Sequence, residues 1–323
     1  MSADSSSSTS SLDLRRLLIK AGPFLGLLAV YVLFASLKYE RFVTWSNSAI
    51  MLQQTAVIGV GAIGMTMIII SGGVDLSFGS IIAVASVVVA MLLQAGWSPL
   101  AAAFAGIGAG ALAGLFTGLL ITRLKLMPFI VTLGMMGILR GAAKGLAKEQ
   151  PIYPEETWLN GLMRLQPNGL PGGVWLMLGL AILVSLTLRY TKFGRHIFAI
   201  GSSEATARLC GIRVERTKLF IYTLGAAFAG LSGLLQFSYL TGGDPTTAVG
   251  LELNIIAAVV IGGASLAGGS GTILGTLIGA LIMTVVNNGC TKLDMPNWVQ
   301  EIVTGAIIVA AVTLDQFRRK ARA

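Results

Sequence analysis

Charge is scarce in this chain. Of its 323 residues only 11% are Asp, Glu, Lys or Arg, where a water-soluble domain carries about a quarter. That deficit excludes an ordinary water-facing surface. Histidine is scarcer still: His196 stands alone, which rules out a multi-histidine metal centre. The two cysteines, Cys210 and Cys290, are too far apart to form a metal-ligand motif or a disulfide framework. There is no HExxH, no GxxxxGK[ST] phosphate loop, and no nucleophile–base pair in a recognisable setting. The glycines of 262–271 lack the lysine that a phosphate loop requires. Neither catalysis nor a metal or cofactor is expected in this chain. If ATP drives it, another chain binds the nucleotide.

What is abundant is apolar length. Hydrophobic residues make up 54% of the chain. A hydrocarbon core needs roughly 20 mostly apolar residues per helix. About ten such segments can be marked, at 20–37, 49–70, 76–94, 99–121, 126–145, 173–189, 218–240, 249–263, 270–288 and 297–315. The alternating ten-residue strands of a membrane barrel are not seen. The expected fold is therefore all-α, a polytopic transmembrane helical bundle. Glycine, at 41 residues, recurs at four-residue spacing in 106–118 and 271–279, as in helices that pack closely within lipid. The eighth segment is short, and short or glycine-broken segments in transporters often line a cavity.

Lysine and arginine set the orientation. Arg15, Arg16, Lys20, Arg123, Lys125, the basic residues between Arg189 and Lys218, and Arg318, Arg319, Lys320 and Arg322 fall on one side if both termini are cytoplasmic. An even number of spans agrees. The net charge of +9 is thus accounted for at helix ends, without nucleic acid. No cleavable signal is expected, because the first apolar segment is too long for one and lacks a clear cleavage site. The chain divides into a disordered polar N-terminus (1–19), a transmembrane domain (20–315) that includes the cytoplasmic loop 190–217, and a basic tail (316–323). The outside loop of about 146–172, with Pro151, Pro154, Pro167, Pro171 and Trp158, is a candidate docking surface. The tryptophans cluster at predicted membrane boundaries.

The longest inside loop, 190–217, holds SSEATARLCG. A serine there caps a short helix. Glu204 and Arg208 sit at i,i+4 spacing and complement the helix dipole, and Gly211 is placed to stop the helix. A loop of this length built around a capped helix is more than charge bias requires, although a plain linker helix is the bland alternative. Asp75, in SGGVDLSFGS, either caps the next helix or serves a cavity or gate, since a membrane-embedded carboxylate is usually paired or functional. Ser77 accompanies it. Glu252, Asn254 and Asn287 could hydrogen-bond a solute in a path, or equally stitch the bundle together. An internal echo, GGxxLxxGS, occurs at Gly72 and again at Gly262.

Four stretches carry a resemblance: ISGGVDLSFGSIIA from Ile70, PFIVTLGMMGILRG from Pro128, GSSEATARLCGIRVERTKLF from Gly201, and ELNIIAAVVIGGASLAGGSGTILG from Glu252. In these the chain resembles the ribose-type branch of ABC importer permeases, the family of ribose, galactose, xylose and related monosaccharide permeases. The resemblance implies a multi-pass protein of the bacterial inner membrane that moves a small polar solute by alternating access. It implies an ATP-binding partner subunit carrying ATP and Mg, a periplasmic sugar-binding protein, and a second permease copy, identical or paralogous. It implies that Ser203, Glu204, Ala205, Arg208 and Gly211 couple to the ATPase, and it adds weight to a path-side role for Asp75. A serine in GSSEATA replaces the family's usual asparagine, and either residue can cap a helix. A nucleoside, polyol or furanose signal is the alternative cargo. An ion-coupled secondary transporter is the alternative mechanism, but it would leave the capped loop helix without a partner.

Overall fold

In the computed structural model residues 7–164 and 169–320 are described. The first six residues, Pro167 and the end of the basic tail including Arg322 lie outside the described residues, as do the side chains of Arg15, Arg16, Lys20, Arg318 and Arg319. The described chain is helical throughout, and each of the ten expected segments is a helix. They are α1 (Ser7–Leu37), α3 (Trp45–Ile70), α4 (Phe78–Gln94), α5 (Pro99–Arg123), α6 (Pro128–Leu146), α7 (Gly172–Tyr190), α10 (Val214–Leu240), α11 (Leu251–Ile261), α12 (Ile273–Lys292) and α13 (Asn297–Lys320). Three short α-helices, α2 (Tyr39–Phe42), α8 (Lys192–Ser202) and α9 (Glu204–Leu209), and one 3-10 helix, Trp158–Leu162, join them. Seven of the helices are long and apolar enough to cross a membrane, whereas Gly22–Leu37, Phe78–Gln94 and Leu251–Ile261 are shorter apolar helices. The first helix is already present at Ser7, well before the 20 marked from apolarity, since apolarity marks only the part of a helix that is hydrophobic.

Sequence chemistry sets the helix ends. Thr44, Ser98 and Thr272 accept hydrogen bonds from first-turn amides of α3, α5 and α12, satisfying donors that have no partner within the helix. Pro99 and Pro128 occupy first helical positions, where their missing N–H costs nothing.

The core forms around α3 and α10, which lie antiparallel: Gly64 meets Gly225, and the Ser232 hydroxyl donates to the Val57 carbonyl at 2.7 Å. The GxxxG row of α5 lies along α10, with Gly106 beside Gly230, Gly110 beside Ala226 and Gly114 beside Tyr222. A Cβ on Gly110 would come within 2.6 Å of the Ala226 carbonyl oxygen, so only glycine allows this backbone approach. On the other flank α12 runs antiparallel to α3 and α11. It is joined to α3 by Thr66–Thr276 (2.8 Å) and by a reciprocal Asn47–Asn288 amide pair. The connection after α6 folds back over one end of the bundle. Ile152 and Gly243 exchange backbone hydrogen bonds, the Met163 amide donates to Ser238, and the Met163 carbonyl accepts from Gln53.

Candidate functional site

The connection from α7 to α10 carries two helices where the sequence marked one. The unmarked one, α8, buries Ile197 and Ile200 against the bundle. The marked one, α9, is built as its residues require. The Ser203 hydroxyl accepts from the Thr206 amide, and Gly211 ends the helix at φ +82°, a left-handed conformation suited to glycine. Glu204 and Arg208 pair at 3.3 Å, and α10 extends the network: Glu215 bonds Arg208, and Lys218 bonds Glu204. Hydrogen bonding to Arg208 holds the Glu215 carboxyl below the ordinary glutamate value. The same hydrogen bond raises the Arg208 guanidinium. The pairs are exposed, so they fix the orientation of α9 more than they stabilise the fold. Ala205 faces outward, and Leu209 is 88% exposed. Leu209 was not singled out in the sequence. An isolated leucine closing a polar helix carries no periodic signal.

Where α8 ends, three chain segments meet. A Cβ on Gly201 would overlap the Ile70 carbonyl oxygen and stand 2.6 Å from the Gly269 nitrogen. The Gly269 N–H itself donates to the Ile70 carbonyl at 2.9 Å. The turns after α3 and after α11 therefore touch one another, and both touch the end of α8. They are also the two copies of the echoed motif. Both helices end alike: the Gly73 amide reaches back to Ile68 and the Ala264 amide to Val259, with Gly72 at φ +83° and Gly263 at φ +93°. The conformations align Gly72 with Gly263, one residue away from the alignment of the letters.

The second group lies deeper. Ile82 packs on Gly233, so the first turn of α4 lies opposite the middle of α10. After α10 the chain turns back. Gly243 packs on Ser86 and Val87, and Ala248 and Glu252 reach Gly79, so α11 also begins beside the first turn of α4. Two interrupted helices thus start side by side within the bundle, an arrangement found at transporter binding sites. Asp75 is fully buried, and its Oδ1 accepts from both the amide (2.8 Å) and the hydroxyl (2.6 Å) of Ser77. It therefore braces the residue before α4 rather than an amide within it, and it occupies the Ser77 hydroxyl, leaving α4 without a side-chain cap. Asp75 Oδ2, Glu252 Oε2 and the Tyr222 hydroxyl are buried and have no partner among the described residues. Buried polar groups are normally satisfied, which marks this zone as unusual. Asn254 and Asn287 are joined at 3.3 Å, away from the Asp75–Ser77 pair in the hydrogen-bond network. Arg140 of α6, not singled out in the sequence, donates to the carbonyls of Pro245 (3.1 Å) and Thr247 (2.6 Å) and lies in the electrostatic range of Glu252 and Asp244. Among the described residues no cluster of three or more His, Cys, Asp or Glu could hold a metal ion.

Residues 47–312 match the family model described as the permease component of branched-chain amino acid transport systems. The chain is 39% identical over 296 residues to the ribose import permease protein RbsC of Escherichia coli, covering 90% of this chain and 92% of that one. It is also 39% identical to the RbsC of Bacillus subtilis, over 92% of each chain. It is 36% identical to the L-arabinose ABC transporter permease protein AraH of Azospirillum brasilense, over 92% of this chain and 88% of that one. No solved structure matches the chain.

Proposed function

The chain belongs to the importer-permease family that this model describes, and from that membership we propose that it is the membrane permease subunit of an ATP-driven, binding-protein-dependent importer of a monosaccharide such as ribose. The relatives named above are named for ribose and L-arabinose, and their similarity spans about nine-tenths of the chain. That favours a sugar over the amino acid of the family description. The chain contributes no covalent chemistry. It offers the solute alternating access while a partner ATPase, holding ATP and Mg, supplies the work.

One observation carries the mechanism: the capped helix α9 presents an exposed apolar residue while the adjoining α8 ends on both helix-breaking turns of the bundle. Ser203, Glu204, Ala205, Arg208 and Gly211, with Leu209, form the ATPase contact in this reading. Asp75, Ser77, Glu252, Asn254 and Asn287 belong to the translocation path or its gate, together with Arg140. Ten spans leave both termini on the cytoplasmic side, where lysine and arginine concentrate. Two copies of the chain assemble about a two-fold axis, the commonest symmetry of homo-oligomers. The loop of 146–172 faces the periplasmic sugar-binding protein.

Cys210 offers a direct test, because it is exposed beside α9 whereas Cys290 is buried. A membrane-impermeant maleimide should label Cys210 in inside-out vesicles stripped of the ATPase and not in right-side-out ones. Re-adding the ATPase should protect it. Labelling from the periplasmic side would reverse the orientation, and labelling unaffected by bound ATPase would remove α9 from the contact. ATP hydrolysis by the reconstituted complex, stimulated by one sugar-loaded binding protein and flat for the others, would identify the cargo.

A further inference from the structure

Beside the α9 network lies a cleft of about 430 Å³ between α8 and the start of α10. Pockets for small molecules run from roughly 300 to 1,000 Å³. Phe193 and Phe220, packed edge to face at 5.1 Å, line one part of it. His196, Arg213, Arg216 and Thr217 line the rest, together with Gly211 at the end of α9. Arg213 and Arg216 are exposed and form no salt bridge among the described residues. The carboxylates close to them in the chain are already engaged, Glu215 by Arg208 and Glu204 by Arg208 and Lys218. Positive charge is therefore neutralised on α9 and left uncompensated here.

The depth of the cleft points to its occupant. Gly118 packs on Leu219 only five residues before α5 ends at Arg123. Phe220 is thus level with the last apolar turns of α5, and it is 54% exposed on the outside of the bundle. Arg213 and Arg216 stand one to two turns further out, at the level where α5 leaves its span. An apolar wall at acyl-chain depth below two free guanidinium groups at headgroup depth matches an anionic phospholipid. Arginine binds phosphate oxygens through paired N–H groups, and basic pockets between helices on the cytoplasmic face hold anionic headgroups.

We propose that this cleft is a specific site for an anionic phospholipid of the inner leaflet, its phosphate held by Arg213 and Arg216 and an acyl chain lying along Phe220. The lipid would then stand at the root of α8 and α10, so membrane composition would bear on the position of the coupling element. The proposal rests on the orientation proposed above.

The test uses the assembled complex, extracted from bilayers containing phosphatidylcholine and phosphatidylglycerol, with retained lipid measured by native mass spectrometry. The unaltered complex should retain phosphatidylglycerol preferentially. Each arginine near a charged surface contributes about fivefold, so Arg213→Ala with Arg216→Ala should weaken retention about twenty-five-fold. Arg216→Gln alone, milder if the double variant assembles poorly, should cost about fivefold. Lys192→Ala with Arg195→Ala, which removes nearby charge outside the cleft, should change little. The site is refuted by equal retention of the two lipids, by no effect of Arg216→Gln, or by an equal loss in the Lys192/Arg195 control, which would signify diffuse charge. Displacement by inorganic phosphate would assign the cleft to a soluble anion. Loss of the ATPase with lipid preference unchanged would assign it to the partner protein. The Cys210 labelling pattern reports the side of the membrane without reference to lipid, so a wrong orientation and a wrong site fail in different measurements.

Discussion

Replacing Gly201 by alanine tests the coupling reading at its narrowest point. The added methyl would overlap the Ile70 carbonyl oxygen and crowd the Gly269 nitrogen, two backbone atoms that cannot rotate away. Overpacking of this kind costs about 1–3 kcal/mol. Parting Ile70 from Gly269 to make room also loses their hydrogen bond, worth about 0.5–1.5 kcal/mol net. The strain, about 1.5–4.5 kcal/mol, falls on the contact between α8 and the two turns rather than on the main core. If ATPase movement reaches the bundle through that contact, Gly201→Ala should lower stimulation of ATP hydrolysis by loaded binding protein at least tenfold while the ATPase still co-purifies. Gly211→Ala is the comparison. It carries a left-handed φ of +82° but meets nothing within 4 Å, so its cost is about 1–2 kcal/mol of local backbone strain and its effect should be smaller. Normal stimulation in Gly201→Ala with intact assembly would refute the route through this junction.

The charged network on α9 should behave as an exposed one. Glu204→Arg or Arg208→Glu should abolish ATPase co-purification or stimulation, and raised salt should weaken the pairing in the unaltered protein. Because Arg208 holds the Glu215 carboxyl below the ordinary value of 4.5, its contribution is present above that value and fades only as pH falls through the depressed one; hydrogen exchange across 204–218 should stay slow at mildly acidic pH and rise below it. Asp75→Asn keeps an acceptor for Ser77, whereas Asp75→Ala removes both hydrogen bonds. Normal transport by the asparagine variant and poor folding of the alanine variant would mark a structural brace, and a well-folded asparagine variant without transport would mark a gate. Arg140→Ala should speed exchange at 244–247 and reduce transport more than tenfold, since two carbonyls lose their donor; unchanged exchange there would show that Arg140 does not hold the segment.

The ten helices were legible because apolar runs mark them segment by segment, and length singles out the seven that could cross a membrane. The cap at Ser203, the stop at Gly211 and the Glu204–Arg208 pair were legible because each is local chemistry over a few residues. The features that escaped are those whose partners lie far away in the chain. Arg140 looks like a basic residue near the end of an apolar run, and its acceptors are backbone carbonyls at Pro245 and Thr247, which no residue type announces. Helix α8 reads as basic linker, since Phe193, Ile197 and Ile200 are interleaved with Arg195 and His196. The echoed motif was seen, but matching letters put Gly72 opposite Gly262, while the positive φ that ends each helix puts it opposite Gly263.

The two turns explain how a small displacement at the membrane surface can reach the interior. At one end the turns after α3 and α11 touch each other and the end of α8. From them α4 and α11 converge again at Gly79, where a Cβ would collide with the Glu252 carboxylate and stand 2.5 Å from the Ala248 carbonyl oxygen. The segment joined by Arg140 to α6 leads directly into that contact. The first meeting point is glycine against backbone, and the second sets Gly79 against the Ala248 carbonyl and the Glu252 carboxylate; close-packed contacts of that kind shift between discrete arrangements rather than deforming smoothly. A push on α8 must therefore either separate the two turns or carry them together. Separating them moves α4 relative to α11 at the level of Asp75 and Glu252, the buried carboxylates whose Oδ2 and Oε2 have no partner among the described residues. Those unpaired oxygens have most to gain from a second arrangement, which is the physical reason to look for the gate there.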